Sequence, residues 1–174
     1  NDEVNVWWRK MLIGIEYALH RSGPMSMGAS QLAIFARTRP ELETPDVQFH
    51  IQPLSSDSPG EGLHPYSAFT ASVCQLRPES RGSIVPKSPD PAVYPAIHPN
   101  YLATRTDRET IVAGMRLSRR LAATKALSPY VAEELRPGPQ AVTDADLLQN
   151  ARDTSATIYH PAGTCKMGPD SDPM

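Results

Sequence analysis

The chain has 174 residues, which suits one domain or most of one, and 40% of them are hydrophobic, enough for a core. Its formal net charge is −2 and it has no long basic run, so nucleic acid and anionic membranes are poor partners. Two cysteines make no disulfide framework, so a reducing compartment is compatible, and no apolar run of about 18 residues could span a bilayer.

The first half of the chain is predicted to contain one helix followed by strands. Apolar residues spaced three or four apart predict an amphipathic helix over 4–23, with Gly23 and Pro24 as its stop; they are Val4, Trp8, Leu12, Ile15 and Leu19. Strands are predicted in SQLAIFAR, DVQFHIQP, SAFTASVCQLRP and RGSIVPK. In DVQFHIQP, Val47, Phe49 and Ile51 face one way, and Gln48, His50 and Gln52 face the other.

The second half changes to a helical period. TDRETIVAGMRLSRRLAATKAL predicts a long helix with Thr106 and Glu109 at capping-box spacing and a solvated basic face. A short helix is predicted with Ser128 as its N-cap, and another begins at Thr143 with Asp146 at the box position. Strands followed by helices predict an α+β fold, with an antiparallel sheet flanked by helices. The sequence contains no GxGxxG, so no dinucleotide-binding half is predicted in it.

His160 is the main candidate for chemistry. It lies in ATIYHPAGTCKMGPD, after a strand-like TIY run and before Pro161 and Gly163, a setting that would present its ring rigidly. An ordinary imidazole titrates near ~6.5, so it could act as a general base or acid. The alternative is a buried histidine whose ring nitrogens are satisfied by the backbone. His160 and Cys165 supply only two ligands where zinc takes three or four, so no metal site is predicted.

Two segments carry a family resemblance. YHPAGTCKMG is similar to the carboxy-terminal signature of the glucose-methanol-choline (GMC) family of flavin-dependent alcohol oxidoreductases. The segment from SRGSIVPKSPDPAVYP to the long helix resembles another block of that family, in the expected order. The resemblance implies that 78–174 is a truncated GMC C-terminal domain and that 1–77 is the middle region of the substrate domain.

The resemblance also implies a reaction. Family members oxidise an alcohol to an aldehyde or ketone and pass the hydride to FAD, so we expect FAD as cofactor and a small alcohol as substrate. His160 matches the signature histidine, which in the family lies at the reactive face of the flavin and helps remove the hydroxyl proton. His50 resembles a strand histidine of the choline-dehydrogenase-like branch that faces the substrate, although a solvent-facing histidine is the open alternative. Choline, simple primary alcohols and polyethylene-glycol-like alcohols stay open, as does the electron acceptor.

The two ends of the sequence predict a fragment. The chain has no initiator Met, and the family's Gly-rich flavin loop and second catalytic Asn or His are absent from it. We therefore expect no flavin binding or turnover from this polypeptide alone. We expect the protein to be cytoplasmic or peripherally associated with a membrane. The alternatives are a non-catalytic remnant that acts as an interaction module, and a small metal-binding domain.

Overall fold

The computed structural model describes residues 1–28, 30–57, 60–163, 167–169 and 171. They form two compact units, 1–74 and 75–174. Both contain helices and strands, and the strand pairs at 32–36 with 47–51 and at 83–85 with 96–98 are antiparallel, so the predicted α+β class is confirmed. In the part of the chain that the structure describes, no helix is both long and apolar enough to cross a bilayer.

The first unit begins with two helices, α1 (Asp2–Asn5) and α2 (Trp7–His20), where one helix was predicted. The break lies at Val6, whose backbone is extended (φ −90°, ψ 120°). The predicted apolar stripe is present but exposed to solvent, with Leu12 51% and Leu19 71% exposed. We call the exposed apolar side chains of α2 the α2 stripe; they are Trp7, Trp8, Met11, Leu12, Ile15 and Leu19.

A three-stranded sheet follows, with β1 (Leu32–Ala36), β2 (Val47–Gln52) and β3 (Thr70–Gln75) in the order β1-β2-β3. β1 and β2 are antiparallel, with Ile34 opposite Phe49 and Ala33 opposite His50. Val47 and Phe49 are both 0% exposed, which confirms the predicted buried face of β2. Because strand side chains alternate, His50 lies on the opposite face.

The loop between β1 and β2 is closed by a buried carboxylate. Asp46 is 7% exposed, and its side chain accepts hydrogen bonds from the Thr38 N–H at 2.7 Å and the Thr38 hydroxyl at 2.5 Å. The Asp46 N–H donates to the Ala36 carbonyl at 3.1 Å, next to the Ala36–Val47 pair. These bonds satisfy a buried charge and help to fix the register that places His50.

The second unit opens with an antiparallel hairpin of β4 (Ser83–Val85) and β5 (Ala96–His98). β4 was predicted, but β5, which contains His98, was not. A Cβ at Gly82 would lie 2.1 Å from the His98 carbonyl oxygen, so the close approach of the two backbones requires glycine there.

The core of this unit lies between α3 (Arg105–Ala122) and α4 (Asp144–Thr154). Its buried apolar residues include Ile111, Val112, Ala141, Leu147 and Ala151. The predicted capping box at α4 is confirmed, since the Thr143 hydroxyl accepts from the Asp146 N–H at 3.2 Å and the Asp146 carboxylate accepts from the Thr143 N–H at 2.9 Å. Ser128 begins a 3₁₀ turn, Ser128–Tyr130, and its N-cap is Leu127 rather than Ser128.

The basic end of α3 is not simply a solvated face. Arg119 makes a bidentate pair with Glu134, with contacts between 2.9 and 3.1 Å, and both side chains are less than one-third exposed. Its guanidinium also donates to the Ala141 carbonyl at 2.7 Å and the Gly138 carbonyl at 3.1 Å. Arg119 therefore ties the loop before α4 to α3, a role that a planar, five-donor guanidinium suits.

The cap of α3 differs from the predicted one. Thr104, not Thr106, is the N-cap, and its hydroxyl accepts from the Asp107 N–H at 3.2 Å. Asp107 is 1% exposed and accepts hydrogen bonds from the Glu79 N–H at 2.9 Å and the Ser80 N–H at 2.8 Å. The Ser80 hydroxyl and the Gln75 amide also donate to it. The helix therefore starts after Thr104, with Asp107 in its first turn, because the Asp107 carboxylate binds a distant segment as well as the helix start.

Asp107 makes stability depend on pH. Burial raises the pKa of Asp107, but the hydrogen bonds from Ser80, the Glu79 N–H and Gln75 together outweigh burial, so that the pKa lies below its usual range. The stabilisation is therefore complete above the unfolded-state pKa of about 3.9 and is lost as the pH falls through the lower folded-state pKa. We expect Asp107→Asn to cost about 1–3 kcal/mol at neutral pH and to weaken this acid dependence, as measured by urea unfolding at several pH values.

The matched control is Asp153→Asn, which changes an exposed carboxylate on α4. It should alter the free energy of unfolding by less than about 0.5 kcal/mol. Equal stabilities of the Asp107 and Asp153 variants at neutral pH would contradict the role assigned to Asp107.

Candidate active site

His160 follows α4 in a segment without regular secondary structure. The predicted TIY strand is wrong, because residues 157–159 have no strand assignment and no described strand pairs with them. Instead the chain bends at Tyr159, which has a φ of +61° and whose N–H donates to the Thr157 hydroxyl at 3.0 Å. A non-glycine residue in this left-handed region is uncommon and marks a specific bend. The residue before His160 therefore carries the backbone constraint that the strand was expected to supply.

The His160 side chain is exposed. No hydrogen bond or ion pair joins its ring to another residue that the structure describes, so the described residues do not form the buried, backbone-satisfied setting of the alternative interpretation. Gly163, three residues later, has a φ of +91° and open space where a Cβ would lie. Both ring nitrogens of His160 are thus available to a group that is not part of the described residues.

His50 is half-buried on β2. Its Nδ1 lies 3.3 Å from the Ser30 hydroxyl, and its carbonyl accepts a hydrogen bond from the Ser72 hydroxyl at 3.5 Å. Ser30 precedes β1 and Ser72 lies on β3, so His50 is contacted from both flanking segments of the sheet. The strand position that was predicted for His50 is confirmed. Its ring and its carbonyl both have contacts within the sheet, which a simple solvent-facing histidine would lack.

The two predicted site residues lie in different units, His50 in 1–74 and His160 in 75–174. Cys165, the second residue of the rejected metal pair, lies outside the described residues. Within the described ranges, no group of three or more His, Cys, Asp or Glu side chains could hold a metal ion. Burial raises the pKa of the Cys74 thiol, while a backbone hydrogen bond from Gln48 opposes the rise, so Cys74 stays protonated.

Sequence reasoning missed a polar cluster around His64. Its Nδ1 lies 3.0 Å from the Ser55 hydroxyl and its Nε2 lies 3.4 Å from Asp57, while its ring stacks on Tyr66 with centroids 4.9 Å apart. The residue types match a nucleophilic triad. Ser55, however, is only 8% exposed, and its hydroxyl also accepts from the Asn1 amide at 2.9 Å. The cluster therefore anchors the start of the chain to this loop, which is a structural role for His64.

Comparison with known proteins supplies the family. A family model described as GMC oxidoreductase matches residues 78–174. Oxygen-dependent choline dehydrogenase of Pseudomonas putida is 34% identical over 95% of this chain and 29% of its own length. Mitochondrial choline dehydrogenase of Mus musculus is 36% identical over 95% of this chain and 28% of its own. Alcohol dehydrogenase [acceptor] of Pseudomonas putida is 33% identical over 91% and 29%, respectively. The chain thus spans less than one-third of the length of these relatives.

Solved structures agree with the fold. Pyridoxine 4-oxidase from Mesorbium loti superposes with a TM-score of 0.72 at 26% identity, over 82% of this chain and 28% of its own. A formate oxidase variant from Aspergillus oryzae superposes with a TM-score of 0.76 at 21% identity, over 95% and 34%. At that lower identity the likeness concerns the fold alone, and it supports the α+β arrangement of strands and helices described above.

Proposed function

Because the chain belongs to the GMC oxidoreductase family, we propose that it is a substrate-domain segment of an FAD-dependent enzyme that oxidises alcohols to aldehydes or ketones. The observation that carries the proposal is that the matched region, 78–174, contains an exposed histidine directly after a left-handed backbone bend. We assign 1–77 to the middle region of the substrate domain and 78–174 to the GMC C-terminal part. The chain spans 29% of the Pseudomonas putida relative and has no GxGxxG, so we assign the flavin-binding loop to polypeptide outside this segment.

His160 is proposed as the catalytic base. Its neutral imidazole takes the proton of the substrate hydroxyl, and the imidazolium that results stabilises the negative charge on the alkoxide oxygen. FAD, when bound, supplies the acceptor for the hydride that leaves the carbon. The exposed ring without a described partner fits this role, since a base that is already hydrogen-bonded to its own backbone could not reach a substrate.

His50 is proposed as a substrate-binding residue. It stands on a strand whose opposite face is fully buried, so its backbone cannot shift without disturbing the core around Val47 and Phe49. No described residue hydrogen-bonds its Nε2, which leaves one ring nitrogen for the oxygen of an alcohol. Two curated relatives are choline dehydrogenases and another is an alcohol dehydrogenase, so we propose choline or a primary alcohol as substrate.

Flavin reduction tests this function. A polypeptide of full family length that carries this segment, purified with FAD and mixed anaerobically with choline or a primary alcohol, should lose the absorbance of oxidised flavin. The O-methylated analogue of the same alcohol has no hydroxyl proton to remove and should leave the absorbance unchanged. A flavin-loaded protein that no alcohol reduces would instead support the non-catalytic alternative.

A further inference from the structure

The Ser30 hydroxyl lies next to the ring of His50, and the proposed reaction assigns no role to it. Ser30 lies 20 positions before His50, and its Oγ is 3.3 Å from Nδ1. The β1–β2 ladder brings them together, because Ala33 pairs with His50 and the Gln31 N–H extends the ladder by donating to the Ile51 carbonyl at 3.0 Å. Ser30 is exposed, and among the described residues its hydroxyl has no second hydrogen-bond partner.

A contact at Nδ1 controls the other ring nitrogen. In a neutral imidazole one nitrogen carries the proton and the other accepts, and the hydrogen bond made by one nitrogen sets the state of the other. A hydroxyl that donates to Nδ1 leaves the proton on Nε2. The free Nε2 of His50 is then a hydrogen-bond donor, which is the polarity that an alcohol oxygen gaining negative charge requires.

We propose that Ser30 is a positioning residue that donates its hydroxyl hydrogen to Nδ1 of His50 and so directs an Nε2–H donor towards the substrate oxygen. This inference rests on the proposed function, in which His50 binds the substrate. Ser72 serves a different purpose, because it contacts the backbone carbonyl of His50 and not the ring.

The tautomer of His50 tests the inference without any activity measurement. The 174-residue chain, labelled with 15N-histidine, contains only 5 histidines, and His50→Gln assigns the signal of interest. At a pH where the ring is neutral, His50 should be in the Nε2–H form. Ser30→Ala should give a mixture of both tautomers, and Ser30→Thr, which keeps a hydroxyl, should restore the single form. Ser72→Ala is the matched control and should leave the tautomer unchanged.

A kinetic measurement adds the functional consequence. In the flavin-loaded polypeptide of family length, Ser30→Ala should raise KM for the alcohol about fivefold, the change expected for one ordinary hydrogen bond, with a smaller effect on kcat. Ser30→Thr should return KM to the parent value. If Ser30 had a purely structural role, the change of the His50 tautomer and the change of KM would not appear together in Ser30→Ala and disappear together in Ser30→Thr.

The outcomes separate the two proposals. A parent His50 that carries its proton on Nδ1, or a tautomer that Ser30→Ala does not change, overturns the inference about Ser30 whatever the kinetics. If instead the tautomers behave as expected but His50→Ala leaves KM unchanged, the assignment of His50 to the substrate fails, and the role of Ser30 is then only to orient the ring.

Discussion

Replacing His160 by Ala in a flavin-loaded polypeptide of family length should lower kcat roughly 10²–10⁴-fold, the range for loss of a general base. The alcohol would then have to lose its proton to water while the hydride leaves, without a cation beside the alkoxide. KM should change much less, because the base acts mainly in the transition state. The measurement is the rate of flavin reduction by the alcohol in a rapid-mixing experiment.

The control for this variant is His98→Ala. His98 is another exposed histidine of the same unit, on β5, and it has no part in the proposed reaction. We expect its removal to leave flavin reduction within about twofold of the parent, the range of a surface substitution. A His160→Ala protein that reduces its flavin as fast as the His98→Ala protein would remove His160 from the proton-transfer step.

The largest effect on stability is expected at Phe49. Its side chain is 0% exposed on the buried face of β2, so Phe49→Ala should lower the free energy of unfolding of the 174-residue chain by about 3–5 kcal/mol. The loss combines the removed apolar burial with the cavity that remains, since a packed core relaxes only in part. Urea unfolding followed by circular dichroism measures the change.

Phe35 provides a matched control one strand away. It is 57% exposed and pairs with Gln48, on the face of the sheet opposite to Phe49. Phe35→Ala should cost less than about 1 kcal/mol, since most of its surface already meets water. If the two phenylalanine variants lost equal stability, the assignment of the buried face, and with it the side of the sheet on which His50 lies, would be incorrect.

The faces of the elements could be predicted from sequence because they depend on local periodicity. The alternation in DVQFHIQP correctly separates Phe49 from His50, and the box Thr143–Asp146 correctly starts α4. Four members of the α2 stripe were also predicted, but their exposure was not, because a pattern shows which face is apolar and not what covers it. They are Trp8, Leu12, Ile15 and Leu19.

Competition between neighbouring signals explains the errors. Thr104-x-x-Asp107 and Thr106-x-x-Glu109 have the same capping spacing, two residues apart. What decides between them is the binding of Asp107 to the N–H groups of Glu79 and Ser80, 28 and 27 positions away, which no local pattern contains. The strand β5 was not predicted because it is short and lies between Pro95 and Pro99.

For the candidate site, too, the sequence predicts some features and not others. The resemblance of the YHPAGT motif to the family signature predicts a role for His160, and the resemblance of the QFHIQ strand to the choline-dehydrogenase-like branch predicts one for His50. Both roles stay predictions. The partner of His50 could not be found, since the contact with Ser30 requires the register of β1 on β2. Likewise, the bend at Tyr159 replaces the expected strand because the TIY run has no strand beside it with which to pair among the described residues.

The composition of α2 provides an optical probe. The chain has 2 tryptophans, Trp7 and Trp8, adjacent in this helix and 75% and 44% exposed. Intrinsic tryptophan emission therefore comes entirely from one short stretch of surface, and an indole in water emits at longer wavelength than one in an apolar setting. Any molecule that seats itself on this helix should shift the emission to the blue, whereas events near His160 that leave the helix uncovered should not. Fluorescence of the unlabelled chain thus reports occupancy of a single helix face.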